Sequence, residues 1–449
     1  MNTLKDFAYE RPLVLGLAKS GTAAAKLFLE SGLTVRVNDG KGSENDLVVS
    51  ELRLLGAEVV VGSHPLSVLE DIDIIVKNPG IPYDNPVLVE AEKRNIPIIT
   101  EIELAGKLTA GSIIGITGSN GKTTTTALCG HMLMKSGVPV KIAGNIGTVA
   151  TDVARTIEPD MQMVLELSSF QLMGIQQFRP NIAVLLNIYQ AHLDYHKTLE
   201  NYRQAKCNIF KNQTAEDILI YNDDDPVVSE AVKEAPSIKA PFSTKTRLEN
   251  GAWADDNSIY FMNEKIMDRN EIVLVGEHNV ENILAAVSAA KLSGASNEGI
   301  REVLKTFSGV PHRLQFIEEI NGRQFYNDSK ATNILATEKA LAAFERPTIL
   351  LAGGLDRGNG FEALMPSLTH VKAMVTFGET AEKLMETANL AGISTVAQVD
   401  SMEEAVQKAY ELSADKDIIL LSPACASWDQ YRTFEERGDM FVQAVHKLK

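Results

Sequence analysis

Thr117-Gly118-Ser119-Asn120-Gly121-Lys122-Thr123-Thr124 sets glycine, lysine and hydroxyl groups at a spacing suited to holding phosphate. Backbone N–H groups of such a turn converge on an anion, the next helix adds its dipole, and Lys122 supplies a mobile cation. Thr123 offers its hydroxyl to Mg²⁺. The full phosphate-loop spacing calls for glycine where Ile116 stands, so this loop is a shortened form. A turn that only ends a strand is the plain alternative, and it leaves the placement of Gly, Lys and Thr unexplained.

A second chemical signal is Glu166, near the end of the apolar run 161–167 and followed by Ser168 and Ser169. A buried strand keeps an acid only where something pairs with it. Beside a phosphate loop that partner is a nucleotide's Mg²⁺; a structural lysine is the alternative. The cluster His192-Leu193-Asp194-Tyr195-His196 has zinc-like spacing. Its place at a strand end favours His192 near the Mg²⁺, with His196 a surface or structural residue. Lys206, in the helical stretch 199–210, reads on its own as a solvated lysine, and Asp223-Asp224-Asp225 as a solvated acid run. Asn279 and Asn282 fall one helical turn apart, as a base-edge reader or as caps.

These residues require strand–turn–helix units to hold them. Residues 113–116 form a β-branched apolar run that reads as a buried parallel strand. Upstream, residues 12–16, 20–31 and 34–39 alternate as strand, helix and strand, with the turn Gly16-x-Ala18-x-x-Gly21 and Asp39 closing the unit. This resembles half of a dinucleotide fold. With alanine at the middle glycine, an NAD site and a related fold for another nucleotide remain equally open. Residues 72–76 run into Asn78-Pro79-Gly80, either a loop facing a ligand crevice or a plain turn. Residues 96–99 give a further strand and 101–108 a helix. Strands are expected at 138–142, before Gly144-Asn145-Ile146-Gly147, and at 182–188. Short antiparallel strands are expected within 251–275, and an Ala-rich helix opens at 276–282. The pattern restarts after Gly309-Val310-Pro311-His312-Arg313. It has strands at 324–327, 347–352, 373–377 and 417–421, and helices at 379–391 and 402–412. Polar turns begin at Asp328, Gly353 and Ser422.

The whole is an α/β chain of three blocks, with boundaries expected at 1–107, 108–309 and 310–449. A length of 449 residues agrees with more than one domain. A net charge of −16 argues against nucleic acid or anionic membrane as the main partner. Three cysteines, Cys129, Cys207 and Cys425, lie far apart in expected helix or helix-entry sequence. Reduced thiols and a cytoplasmic location are expected. Residues 1–11 do not look like a signal peptide, and no stretch has the apolar length of a membrane span.

Several motifs, in order along essentially the whole chain, resemble the Mur ligases, the ATP-dependent amino-acid-adding enzymes of peptidoglycan synthesis. They are residues 117–124, Glu166-Leu167-Ser168-Ser169-Phe170-Gln171-Leu172, His278-Asn279-x-x-Asn282, His312-Arg313 and Asp328-Ser329-Lys330-Ala331-Thr332-Asn333. The ending Ser422-Pro423-Ala424-Cys425-Ala426-Ser427-x-Asp429, with Phe434-Glu435-x-Arg437-Gly438, is similar to that of the D-glutamate-adding members.

The resemblance implies a Rossmann-like first domain, a central phosphate-loop ATPase domain and a Rossmann-like last domain. It implies ATP, two Mg²⁺ ions, UDP-N-acetylmuramoyl-L-alanine and D-glutamate as ligands, and a monomer. Lys122, Glu166, His192 and Lys206 would be catalytic. Thr123, Glu166, His192 and a carbamoylated Lys206 would serve the metals. Residues 118–124 with Asn279, Asn282, His312, Arg313 and Asp328 would hold ATP. Lys19, Ser20, Asp39, Asn78, Gly80, Asn145 and Ser168 would hold the UDP precursor. Lys330, Thr332, Arg357, Ser427 and Phe434 would surround D-glutamate. Two departures stand out: Ala191 where many relatives have aspartate, and Arg357 where some have lysine, which keeps the charge with different geometry. The competing readings are another amino-acid-adding Mur ligase, a folylpolyglutamate synthase-like ligase, a dinucleotide oxidoreductase and a GTPase-type switch.

Overall fold

A computed structural model of the chain describes residues 2–5, 7–145 and 148–448, with Asp194 by its backbone alone. Ile146 and Gly147, the second half of an expected turn, lie outside the described residues. Two compact units divide the chain: Met1–Glu271 with Val280–Lys305, and Ile272–Asn279 with Thr306–Lys449.

The first unit carries two sheets. The first contains β1 (Pro12–Leu15), β2 (Arg36–Asp39), β3 (Glu58–Val61), β4 (Ile74–Lys77) and β5 (Ile98–Ile99), in the order β3-β2-β1-β4-β5. All its pairings are parallel. β1 and β4 are buried along their length, as strands covered on both faces must be. The strand order reverses between β1 and β4, so the crevice beyond their carboxyl ends is the natural ligand position. Gly16 follows β1 there with φ +97°, and a Cβ on it would stand 2.8 Å from the Asn78 Cβ. The glycine that opens the first turn is thus fixed by the loop after β4.

The second sheet contains β6 (Ser112–Thr117), β7 (Val140–Gly144), β8 (Gln162–Glu166), β9 (Ile182–Leu185), β10 (Ile218–Asn222), β11 (Ile238–Ser243), β12 (Ala252–Ala254), β13 (Ser258–Phe261) and β14 (Glu264–Asp268). Its order is β14-β13-β12-β11-β10-β9-β6-β8-β7. The pairings from β7 through β12 are parallel, and β13 and β14 extend the edge antiparallel. β6 is the hinge of this order, with β8 on one side and β9 on the other, and the phosphate-loop sequence leaves its carboxyl end.

The second unit holds β15 (Gln315–Ile320), β16 (Arg323–Asn327), β17 (Thr348–Gly353), β18 (Val371–Phe377), β19 (Val396–Gln398) and β20 (Ile418–Leu421). The order is β15-β16-β20-β17-β18-β19, parallel except for β15 with β16. The turns after β16, β17 and β20 therefore leave three adjacent strands at one edge.

Three expectations change, and one that left two alternatives for His196 is narrowed to the structural one. The acid run is not simply solvated: Asp224 accepts from the Ser243 hydroxyl at 2.5 Å and the Thr244 N–H at 2.7 Å. Asp225 caps the helix Pro226–Ala231, accepting from the N–H groups of Val227 and Val228. Cys425 sits in the bend after β20, and the helix begins only at Phe434. His196 is 2% exposed, stacked on Phe170 and bonded to the Ser169 hydroxyl at 3.0 Å. Finally, Lys206 is 1% exposed. Among the described residues no helix is long and apolar enough to cross a membrane.

Candidate active site

The loop after β6 is shaped by the loop after β9. The Ser119 N–H donates to the Asn187 carbonyl at 3.0 Å, and the Asn120 N–H to the Asn187 side-chain oxygen at 2.9 Å. Ser119 Oγ accepts from the Tyr189 N–H at 2.9 Å and the Tyr202 hydroxyl at 3.1 Å. Gly121 caps the helix Lys122–Lys135 with φ +82°, and a Cβ there would stand 2.0 Å from the Asn282 side-chain oxygen. Asn282, which also accepts from Thr125 at 3.4 Å, thus packs directly on the loop's last glycine. The first N–H groups of a helix have no partner within it, so those of Lys122, Thr123 and Thr124 form the mouth of an anion site.

Lys122 Nζ folds back to the Gly118 and Ser119 carbonyls at 2.8 and 3.0 Å. Thr123 Oγ1 donates to Glu166 at 2.8 Å, and the Asn145 amide donates to the other Glu166 oxygen, also at 2.8 Å. Among the described residues Glu166 is buried with Thr123 and Asn145 as its partners and no lysine, which argues against the ion-pair alternative. Ser168 is engaged in a reciprocal cap with Gln171.

Lys206 Nζ reaches the same Gly118 carbonyl at 2.7 Å and lies 4.6 Å over the Tyr202 ring. Burial, and then the nearby Lys122, pull its pKa well below the usual lysine value. His192 is exposed at φ +54°, its ring 5.2 Å from Phe170 and 6.2 Å from Tyr202. Tyr202 is therefore a neighbour of both Lys206 and His192.

Among the described residues no three His, Cys, Asp or Glu side chains are grouped to hold a metal; the side chain of Asp194, the middle residue of the 192–196 cluster, lies outside the described residues. Mg²⁺ asks for less: one or two carboxylates, with phosphate and water completing the octahedron. A hydroxyl and a carboxylate oxygen meeting 2.8 Å apart at the phosphate loop fit that demand.

In the first sheet, Asp39 accepts from the N–H groups of Leu17, Lys41 and Gly42. Burial would raise its pKa, but these bonds outweigh burial and hold the carboxyl below its ordinary value. The Asn78 amide donates to Ser20 Oγ at 3.0 Å, and its oxygen accepts from the Gly80 N–H at 3.1 Å. Ser20, Asn78 and Gly80 thus stand together, while Lys19 is exposed at the helix start.

The second unit brings its own group together. Asp328 accepts from the Leu314 N–H at 3.1 Å and the Ser422 hydroxyl at 2.9 Å, and burial pushes its carboxyl up to about 7. His312, at φ +63°, faces the Asn327 amide at 3.1 Å, and burial lowers its pKa. Arg313 acts on Asp328 electrostatically. Asn279 donates to the Val275 carbonyl at 2.6 Å. Lys330 lies 5.1 Å over the Phe434 ring and Arg357 5.4 Å over Trp428. The Thr332 N–H donates to the Lys330 carbonyl at 2.9 Å. Among the described residues Ser427 Oγ is buried with no hydrogen-bond partner, a state that a ligand's polar group would relieve.

Asn187 was named only as part of a strand, and Ser422 only as the start of a polar turn and of a motif. Each lies just beyond the carboxyl end of a parallel strand, the one positional signal that points to them. Arg437 was quoted only within a motif. It is fully buried and spans the Ser329, Gly353 and Cys425 carbonyls.

Family models match three consecutive stretches. The Mur ligase MurD-like N-terminal domain covers residues 10–100, the Mur ligase middle domain 116–290, and the Mur ligase glutamate ligase domain 312–425. A UDP-N-acetylmuramoylalanine–D-glutamate ligase of Oceanobacillus iheyensis is 60% identical over 449 residues, the whole of both chains. The chain belongs to the Mur ligase family. A ligase of the same description from Bacillus cereus strain Q1 is 56% identical, again over the full length of both chains. The three-domain Mur ligase fold is shared with far more distant solved structures. UDP-N-acetylmuramate-alanine ligase MurC from Thermotoga maritima aligns with a TM-score of 0.59 at 18% identity, covering 98% of this chain and all of that one. MurF ligase from the same organism, solved in complex with ADP, aligns at 0.57 and 17% identity, covering 99% and 100%.

Proposed function

We infer that this Mur ligase joins D-glutamate to the L-alanine carboxylate of UDP-N-acetylmuramoyl-L-alanine with cleavage of ATP to ADP and phosphate. The observation that carries this reading is end-to-end identity of 60% with a relative of that description. The substrates and the precursor pathway point to the cytoplasm. All candidate residues lie on one chain, so a monomer suffices.

Residues 1–107 take the UDP precursor, through Ser20, Asp39, Asn78 and Gly80 with Lys19 beside them, and Asn145 and Ser168 reach toward its carboxylate. Residues 108–309 take ATP. Residues 310–449 take D-glutamate, with the cations Lys330 and Arg357 for its carboxylates, Ser427 and Thr332 as polar partners and Phe434 as a wall. Asn282 belongs with the nucleotide loop of the first unit, and Asn279, His312, Arg313 and Asp328 are the second unit's candidates for holding ATP.

The carboxylate oxygen attacks the γ-phosphorus, ADP leaves, and an acyl phosphate forms. The amine of D-glutamate then attacks the acyl carbon, loses a proton, and expels phosphate to leave an amide. Phosphoryl transfer of this kind needs placement and charge neutralisation rather than a protein nucleophile. Lys122 and the helix start at Thr123 and Thr124 hold the phosphates. Thr123 and Glu166 would hold one Mg²⁺, and His192 with a carbamoylated Lys206 a second; bound metal would neutralise developing charge on the transferred group.

An amine buried against a carbonyl and pushed toward its neutral form is the form that reacts with CO₂, which supports carbamoylation at Lys206.

Phosphate release tests the assignment. With ATP and UDP-N-acetylmuramoyl-L-alanine present, D-glutamate should stimulate release while L-glutamate, L-lysine and D-alanine do not. Stimulation by one of the other amino acids instead would assign the chain to another branch, and none by any would overturn the ligase reading.

A further inference from the structure

Lys77 closes β4 with its side chain 1% exposed, yet no carboxylate pairs with it among the described residues. Its Nζ lies 3.3 Å from the Asn78 carbonyl, 3.2 Å from the Pro79 carbonyl and 3.3 Å from the Tyr195 hydroxyl, and 4.7 Å over the Tyr83 ring. The Tyr195 hydroxyl in turn donates to the Ile81 carbonyl at 3.0 Å. The Tyr195 ring packs edge-on against Phe170 with centroids 4.6 Å apart.

Two side chains from different parts of the first unit thus hold three carbonyls of residues 78–81. One is the last residue of β4. The other belongs to the helical turn Leu193–His196, whose cap is His192. The loop they hold carries Asn78 and Gly80 at the point where the strand order reverses.

A plain structural role is a poor account of Lys77. Burying an ammonium without a counter-ion is unfavourable, and an apolar side chain would fill the space without that cost. Burial lowers the Lys77 pKa to about 7. The arrangement makes sense if the amine's donors are needed to set the loop and an anionic ligand arrives nearby to favour its charged form.

We propose that Lys77 and Tyr195 are a positioning pair that fixes loop 78–81 in the shape receiving the anionic nucleoside-diphosphate-linked substrate and ties that loop to the His192 segment. The proposal rests on the precursor-binding reading given above and adds two residues to it. It concerns binding of one substrate, so its signature is selective.

The test is calorimetric titration of the full chain with UDP-N-acetylmuramoyl-L-alanine and, separately, with ATP. Lys77→Met keeps the length without donors, and Tyr195→Phe keeps the ring on Phe170. Removing hydrogen bonds that involve a charged donor should weaken precursor binding by about tenfold for Lys77→Met and less for Tyr195→Phe. The double variant should be little worse than Lys77→Met alone, because both act on one loop. ATP affinity should stay within about twofold by the same additivity argument. In turnover, KM for the precursor should rise while kcat holds. Unchanged precursor binding in Lys77→Met, equal loss of ATP and precursor, or multiplying effects in the double variant would each overturn the pair. Failure of the unmodified chain to bind the precursor would instead overturn the functional reading itself.

Discussion

Lys122→Ala is expected to lower ligase turnover by about 10³-fold or more, while the affinity for UDP-N-acetylmuramoyl-L-alanine changes little. The magnitude follows from the proposed role of Lys122 as the cation that meets the transferring phosphoryl group, where single charged groups are commonly worth 10³ or more. The selectivity follows from placement. Lys122 touches the Gly118 and Ser119 carbonyls of the central domain, whereas Ser20, Asn78 and Gly80 are organised on the first sheet. Steady-state kinetics with precursor titration checks both halves. Loss of precursor binding in step with turnover would mean that the two sites are not separable.

Lys206→Ala is expected to cost about 10²-fold or more, the scale of one charge-stabilising group lost from a phosphoryl-transfer site. Its more distinctive sign is dependence on CO₂. Carbamoylation needs the neutral amine, and burial beside Lys122 shifts Lys206 that way. A depressed pKa leaves more neutral amine at any given pH below the ordinary lysine value. As pH falls, protons compete with CO₂ for the nitrogen lone pair, so activity should decline on the acid side. Enzyme held in CO₂-depleted buffer should lose activity and regain it with bicarbonate. Lys206→Arg, which cannot form the same group, should stay low in both. Full activity of the unmodified chain without CO₂ would remove the carbamate from the mechanism.

The sequence reading of Lys206 as solvated shows what was legible and what was not. The helix Leu199–Cys207 is polar overall, yet Tyr202, Ala205 and Lys206 fall at i, i+3 and i+4 and are all buried. That stripe was present in the sequence; the positive charge masked it. Asp225-Pro226 is likewise a helix-start signature, hidden inside what looked like a solvated acid run. Buried parallel strands were easier. Residues 113–116 and 161–167 are apolar because both faces of their sheet are covered. The helices Glu101–Leu108 and Met402–Leu412 begin and end where the pattern puts them. Their chemistry is another matter. Glu101 and Glu103 are buried, and Glu103 accepts from the N–H groups of Gln176, Gln177 and Phe178. No local pattern announces acids that act as anchors over a distance. The helix Leu47–Leu54 shows the reverse: Val49 and Leu52 form its buried face, while the equally apolar Leu47 and Leu54 are each 89% exposed.

One carbonyl oxygen, that of Gly118, accepts from both Lys122 and Lys206. A carbonyl has two lone pairs, so the amines of Lys122 and of Lys206, the proposed carbamoylation site, share one acceptor. Carbamoylation of the Lys206 amine would leave its nitrogen a single N–H, release a proton and set a negative charge near Lys122. Nucleotide affinity should then differ between the modified and unmodified forms. Linkage makes the relation reciprocal: whatever factor CO₂ imposes on nucleotide binding, nucleotide imposes on CO₂ binding. Nucleotide dissociation constants measured with and without bicarbonate would give that factor, and equal values would show the two lysines to be independent. If they differ, the loop is a point where the supply of dissolved inorganic carbon sets the gain of an ATP-driven step.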